Sequence, residues 1–274
     1  MKKEFFFQKV FDQELEVEIL GDLKSDNSTI VLLHEGLGSA SMWKEIPILL
    51  YEELGLNILV YSRAGYGKSS SVQLPRPINY MNIEAESYLP ELLSKLHLNN
   101  VYLLGHSDGA SIAAINSSLK NNKYNILGTI LIAPHFFVEE ISVQAIKNIR
   151  KIYENEIKKK LSKYHDNVDI AFYGWNDAWL NPEFRKWDIR DFLSEIEIPV
   201  LAIQGDKDSY GSLSHVEVLE NKIKGKFDKL IFKNCGHNPL IDMQKESINK
   251  LKEFIFKIEI LKTLDINALK ISHF

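Results

Sequence analysis

Gly105-His106-Ser107-Asp108-Gly109 sets a serine between two glycines, after the apolar run Val101–Leu104 and before the small-residue stretch Ala110–Ala114. A G-x-S-x-G match arises by chance roughly one time in ten in a chain of this length at average residue frequencies. Its context is more specific. A nucleophilic serine needs a sharp strand-to-helix turn that lifts its hydroxyl clear of the backbone. The helix behind that turn supplies unpaired N–H groups and partial positive charge. The plainer alternative is a turn with a capping serine. A hydroxyl also needs a base to take its proton. His237, in Asn234-Cys235-Gly236-His237-Asn238-Pro239, follows the last expected strand on an irregular loop. The imidazole in turn needs a carboxylate to fix its tautomer. Gly205-Asp206-Lys207-Asp208 follows the strand Pro199–Gln204. Asp208 is preferred because it lies further past the strand end; Asp206 is its competitor, as a turn cap or loop anchor.

Acyl transfer further requires donors aimed at the developing oxyanion. One candidate is the backbone N–H of Asp108, directly after the serine. The other is expected in His34-Glu35-Gly36-Leu37-Gly38, from Gly36 first and Leu37 second, although this loop also reads as an ordinary glycine turn feeding a helix.

The elements that must carry these residues are legible as alternation. Glu4–Phe11 and Leu15–Leu20 read as a hairpin joined by a turn at Asp12-Gln13-Glu14. Thr29–Leu33, Asn57–Tyr61, Asn100–Leu104 and Leu127–Ala133 are apolar runs of the kind buried on both faces. Helical stretches at Ser39–Leu54, Asn82–Leu98 and Ser107–Asn121 lie between them. Strands alternating with helices imply a mostly parallel sheet covered on both faces. From Pro134 to about Ile196 no buried strand appears. Helical segments occur instead, including the lysine-rich Ile157–Lys163, with an aromatic cluster of Phe172, Tyr173, Trp175, Trp179, Phe184 and Trp187. The alternation resumes with Pro199–Gln204, Leu213–Lys224, Lys229–Lys233 and Gln244–Ile258, and Leu261–Phe274 reads as a short terminal helix.

At these residues the chain resembles the α/β-hydrolase superfamily. The likeness rests on His34-Glu35-Gly36-Leu37-Gly38, Arg63-Ala64-Gly65-Tyr66-Gly67-Lys68-Ser69, the elbow at Ser107, the acid loop at Asp208 and Gly236-His237, in the family's order. The resemblance implies a mostly parallel eight-stranded sheet flanked by helices, with a helical cap inserted after the sixth strand. That divides the chain into a core of residues 1–134 and 197–274 and a cap of residues 135–196. It also implies that Ser107, Asp208 and His237 are nucleophile, acid and base, with no cofactor and no metal. Glu35 stands where many members have glycine, Tyr61-Ser62-Arg63-Ala64 where aspartate and arginine are commoner, and Asp108 where an uncharged residue is frequent. His34-Glu35-Gly36-Leu37-Gly38 and Gly105-His106-Ser107-Asp108-Gly109, together with Gly174-Trp175-Asn176-Asp177-Ala178-Trp179-Leu180, resemble a coherent subgroup to which no substrate attaches.

Glu35 and Asp108 beside the nucleophile could disfavour anionic groups, or both could point away. Phe136, Trp175 and Trp179 are candidate substrate contacts; aromatics here could equally be the cap's own core. The Lys158–Lys160 run reads as a solvated helix face. Three functions compete: hydrolysis of an ester, thioester or lactone, which makes the partner a small acyl compound; C–C bond hydrolysis of a diketone-like compound; and a small-molecule receptor without turnover.

Composition narrows the field. The 274 residues carry 33 Lys plus Arg against 37 Asp plus Glu, a net charge of −4, which argues against nucleic acid as the main partner. Cys235 is the one cysteine, so no intramolecular disulfide or cysteine zinc cluster can form. No stretch approaches the ~18 apolar residues of a membrane span, and Met1–Lys9 lacks a signal-peptide core. The expectation is a cytoplasmic protein without membrane contact. The apolar residues of Ile260–Phe274 could seal the core or pair with another subunit as a homodimer.

Overall fold

The computed structural model describes residues 2–25 and 27–271, with side chains described to Leu264. Its strands are β1 (Lys3–Val10), β2 (Gln13–Leu20), β3 (Thr29–Leu33), β4 (Asn57–Tyr61), β5 (Asn100–His106), β6 (Asn125–Ile132), β7 (Val200–Gly205) and β8 (Phe227–Phe232). They form one eight-stranded sheet in the order β1-β2-β4-β3-β5-β6-β7-β8. β1 pairs antiparallel with β2, and β2 with β4; every other pairing is parallel.

Because side chains alternate along a strand, each central strand feeds two cores. Ile30, Leu32, Ile58, Val60, Leu201 and Ile203 face the helices Ile46–Leu54 and Gln244–Ile271, meeting Leu50, Leu251 and Ile255. Val31, Leu33, Leu103, Val200 and Ala202 face the opposite layer, with Leu89, Leu92, Ala110, Ala113 and Leu219. Helices on both faces are what strands so apolar require.

Local departures from the expected elements have physical causes. The hairpin turn is Phe11-Asp12 rather than Asp12-Gln13-Glu14, since Val10 pairs with Gln13 and Phe11 takes a φ of +54°. The expected helix Ser39–Leu54 is split into Ala40–Trp43 and Ile46–Leu54 by Lys44, whose φ is +51°. The expected helix Asn82–Leu98 runs as Tyr80–Ile83, a wide turn Glu84–Tyr88 and Leu89–Lys95. The C-terminal helix is continuous from Gln244 to Ile271, not two helices, because no glycine or proline interrupts it. Residues 272–274 of the expected terminal helix lie outside the described residues. Ile260, Leu261 and Leu264 are exposed, so they do not seal the core.

Between β6 and β7 the chain adds no strand to the sheet. It forms the helices Glu140–Ile152, Lys158–Leu161, Val168–Leu180 and Arg190–Leu193. One isolated bridge, Phe137 to Asp188, ties the two ends of this insertion.

Candidate active site

β5 ends at His106, and the next residue starts a helix, Asp108–Ser118. Ser107 makes the turn with φ +56° and ψ −119°, a conformation that costs about 1–3 kcal/mol and persists only where packing enforces it. The glycines supply that packing. A Cβ on Gly105 would stand 2.1 Å from the Gly109 carbonyl oxygen, and one on Gly109 would stand 1.9 Å from that of Leu33. The serine is thus wedged between strand and helix with nothing larger able to flank it.

His237 follows β8 and Asp208 follows β7. Asp208 Oδ2 lies 2.7 Å from His237 Nδ1. The carboxylate is saturated: Gln204 Nε2 donates to Oδ2 at 2.7 Å, and the Tyr210 and Gly211 amides donate to Oδ1 at 2.7 and 3.3 Å. Burial works to raise the Asp208 pKa, but the hydrogen bond and charge of His237 outweigh it and hold the carboxyl below its ordinary range. Asp206 is spent elsewhere, accepting the Asn234 amide at 2.7 Å, so it anchors the β8 loop. His106 Nε2 meets the His237 carbonyl at 2.9 Å, which brings the histidine loop to the residue next to Ser107. Asp208 and His237 are therefore joined directly. Ser107 Oγ is hydrogen-bonded to neither among the described residues, a looseness common before substrate arrives.

In the loop after β3 the carbonyls of His34, Glu35 and Leu37 are occupied, and the Gly38 amide donates to that of Glu35 at 3.1 Å. Arg63 donates to the carbonyls of His34 and Glu35, and His165 Nε2 lies 2.9 Å from that of Leu37. His34 accepts the Arg63 amide at Nε2 (3.1 Å) and meets the Glu35 carbonyl at Nδ1 (2.7 Å), which fixes it as the Nδ1–H tautomer. Burial first, and the Arg63 charge second, push the His34 pKa well below its usual value, so it stays neutral. The amides of Gly36, Leu37 and Asp108 donate to no acceptor among the described residues. Donors held open by anchored carbonyls are the geometry an oxyanion site requires.

The Alpha/beta hydrolase family model matches residues 30–248. This chain belongs to the alpha/beta hydrolase family. Among curated relatives, the karrikin insensitive 2 receptor IA of Petunia hybrida is 22% identical over 262 residues, covering 87% of this chain and 93% of that protein. A proline iminopeptidase of Lactobacillus delbrueckii subsp. lactis is 22% identical over 259 residues, covering 79% and 86%. An esterase from Exiguobacterium antarcticum superposes with a TM-score of 0.73 at 22% identity, covering 92% of this chain and 98% of that structure.

In this alpha/beta hydrolase the remaining expected residues fall into different places. Trp175, on the helix Val168–Leu180, presses its indole on the loop after β3: a Cβ on Gly36 would stand 2.1 Å from Trp175 Nε1. Glu35 is half-buried, and its carboxylate has no hydrogen bond or ion pair among the described residues. It lines a cavity of about 40 Å³ together with Trp43, Lys44, Glu45, His106 and Asn238. Two expected substrate contacts are corrected. Phe136 is 0% exposed and packs against His215, its amide donating to His215 Nδ1 at 3.2 Å. Trp179 is 1% exposed, packs on Phe184 at 4.9 Å and donates to Tyr80 Oη at 3.0 Å. Both are core. Phe172 stacks on Tyr153 at 3.6 Å inside the insertion. Lys158 is not simply solvated, since it pairs with Asp169 at 2.9 Å.

The Asp108 side chain is also settled. Tyr80 donates to Oδ2, and the carboxyl is 1% exposed. Burial raises its pKa, against the nearby Arg63 charge and the Tyr80 hydroxyl. Asp108 thus ties the serine helix to Tyr80 and, through Trp179, to the insertion, and does not face open space. Sequence reasoning missed Tyr80, His165 and Gln204. Only Gln204 left a signal, as a polar residue ending an otherwise apolar buried strand.

Proposed function

We propose that this alpha/beta hydrolase is a serine hydrolase of small acyl compounds, cleaving an ester, thioester or lactone bond through Ser107, His237 and Asp208. The observation that carries the proposal is the saturated Asp208 carboxylate on His237 Nδ1, beside a strained serine and three open amides. His237 Nε2 takes the Ser107 hydroxyl proton as Oγ bonds to the acyl carbon. The oxyanion forms against the amides of Asp108 and of Gly36 or Leu37. The tetrahedral species collapses, the acyl–leaving-group bond breaks and His237 protonates the leaving group. Water then attacks the acyl-enzyme, giving its proton to His237; the Oγ–carbon bond breaks as His237 returns that proton to Ser107 Oγ, which releases the acid and restores the serine. Asp208 stays ionised and holds the imidazole orientation. The insertion, residues 135–196, serves as a cap over this site, with Trp175 resting on Gly36. The free Glu35 carboxylate biases the site against acyl groups carrying a negative charge. Matched neutral and carboxylate esters compared in wild type and Glu35→Gln test that bias; an unchanged preference removes it.

The direct test is active-site labelling with a fluorophosphonate. Label is expected on Ser107, with turnover of a p-nitrophenyl ester panel that disappears in Ser107→Ala. A folded protein that stays unlabelled and turns over none of the esters, lactones or thioesters tried overturns the reading. One observation favours a second reading, a ligand receptor: the Petunia relative bears a receptor's name. Tight binding that survives Ser107→Ala, without turnover by wild type, would establish it.

A further inference from the structure

His135 follows β6 on the bend Ala133-Pro134-His135. Ala133 takes a φ of +47°, a strained value for a residue with a Cβ. Its neighbours fasten the bend: the Ala133 amide donates to the Ile203 carbonyl at 2.9 Å, and Ser111 Oγ, on the helix behind Ser107, donates to the His135 carbonyl at 2.6 Å. So placed, the His135 ring stands 5.8 Å from that of His237, 5.4 Å from Trp179 and 5.3 Å from His215, centroid to centroid.

The ring is 2% exposed, yet neither nitrogen has a hydrogen-bond partner among the described residues. Nδ1 is enclosed, close to Gly211 of the Asp208 loop, where a Cβ would come within 3.2 Å of it. Nε2 is not enclosed, so the small exposed part of the ring includes the end that carries it. The adjacent His215 is the contrasting case, with a polar neighbour at each nitrogen. His215 Nδ1 accepts the Phe136 amide, and Nε2 lies 3.0 Å from Glu139. His135 has been given the burial without the partners, which forfeits the hydrogen bond to water at Nδ1.

Burial, reinforced by the charges available to His215 and His237, holds His135 well below its ordinary pKa against the opposing carboxylates of Asp208 and Glu139. The neutral ring carries one proton. An enclosed N–H without a partner is rarer than an enclosed acceptor without one. Nδ1 is therefore the bare nitrogen, and Nε2 bears the proton at the open end. The two carboxylates nearby make a third negative charge unwelcome, so the acceptor that suits this N–H is neutral.

We propose that His135 is a substrate-binding residue whose Nε2–H donates to a neutral oxygen of the substrate lying beyond the scissile carbonyl, so that acyl groups bearing an ether, keto or hydroxyl oxygen are preferred over plain alkyl ones. The proposal rests on the hydrolase reading above and names its substrate class.

The test uses p-nitrophenyl hexanoate and its 3-oxa, 4-oxa and 5-oxa isosteres, which differ only in where one CH₂ becomes oxygen. The readout is the ratio of kcat/KM for each oxa ester to that of hexanoate, corrected for uncatalysed hydrolysis. Wild type is expected to prefer one isostere roughly three- to tenfold, the worth of one hydrogen bond. The preference should fall to about unity in His135→Phe and be kept in His135→Gln, which retains an N–H donor. If phenylalanine unfolds the chain, His135→Met, which fills the volume without an N–H, takes its place. No preference in wild type, or an unchanged ratio in the variant lacking the donor, overturns the proposal. A second arm needs no turnover: calorimetric binding of the methyl ketone analogues of hexanoate and of all three oxa isosteres to Ser107→Ala, with and without His135→Phe. Failure of all ester hydrolysis would sink the hydrolase reading alone. Equal binding by the two variants would sink His135 alone.

Discussion

Asp208 spends its oxygens on His237, Gln204 and two amides of its own loop, so an asparagine there could keep the shape and lose the chemistry. Asparagine can present an N–H to His237 Nδ1 and stabilise the wrong tautomer. Asp208→Asn is expected to lower kcat on the order of 10⁴-fold with little change in melting temperature, read from steady-state ester kinetics beside a thermal melt. Gly36 is constrained from outside. Alanine there must push the Trp175 indole or shift the loop that holds the open Gly36 and Leu37 amides. Gly36→Ala is expected to cost about 10²-fold in kcat, the scale of losing one oxyanion donor. A change in KM alone, with kcat intact, would place the amide elsewhere. At this scale the Ser107 turn and the Asp208–His237 pair were legible because each residue sits in a short local pattern with a required chain order. Tyr80 and His165 were not, because each meets its partner far along the chain: Tyr80 reaches Asp108, and His165 reaches Gly67 and Leu37. Phe136 and Trp179 misled because an aromatic near a site looks the same in sequence whether it faces ligand or core.

His165 shows how one loop of the insertion fastens two loops of the core. Its Nδ1 accepts the Gly67 amide at 2.9 Å, its Nε2 meets the Leu37 carbonyl at 2.9 Å, and the next residue, Asp166, donates its amide to the Gly67 carbonyl at 2.9 Å. His165→Ala removes two of these three ties. The Gly67 amide is expected to exchange with solvent roughly tenfold faster, in line with the loss of about one hydrogen bond's stabilisation, as hydrogen exchange would measure. Unchanged exchange at Gly67 would mean the insertion is held by its apolar contacts alone. Strands were the most legible elements: nearly continuous apolar runs located β3 and β4 with their observed ends, because burial on both faces leaves polar residues only at the first position, Thr29 and Asn57. Helix interruptions were less legible. Lys44 breaks the helix between Ser39 and Leu54 with a left-handed backbone that its side chain does not advertise, and the wide turn at Glu84–Tyr88 is set by packing against the serine helix.

For the whole molecule, the response to acid follows from its buried histidines. His34, His106, His135 and His165 all have pKa values lowered chiefly by burial from the ordinary 6.5. A histidine that folds into its neutral form binds fewer protons folded than unfolded, so its contribution is present above pH 6.5 and is lost as pH falls below it. Glu139, held at about 2 because the His215 and Ser212 hydrogen bonds outweigh its burial, adds a loss at lower pH, from the ordinary carboxylate range downward. The urea midpoint should therefore stay level from pH 8 to 7 and decline steadily from about 6.5. A midpoint unchanged at pH 5 would show that the unfolded chain protects these rings as well. The serine turn, the acid and the base are also separated along the chain by the insertion, while β6 must find β7 across it. On the ribosome the elbow at Ser107 is made first and His237 follows roughly 7 to 26 seconds later at ordinary synthesis rates. On the proposed triad, the nascent chain until then carries a serine with no base to activate it, so an interrupted product ending anywhere before β8 is expected to be chemically silent rather than an unregulated nucleophile.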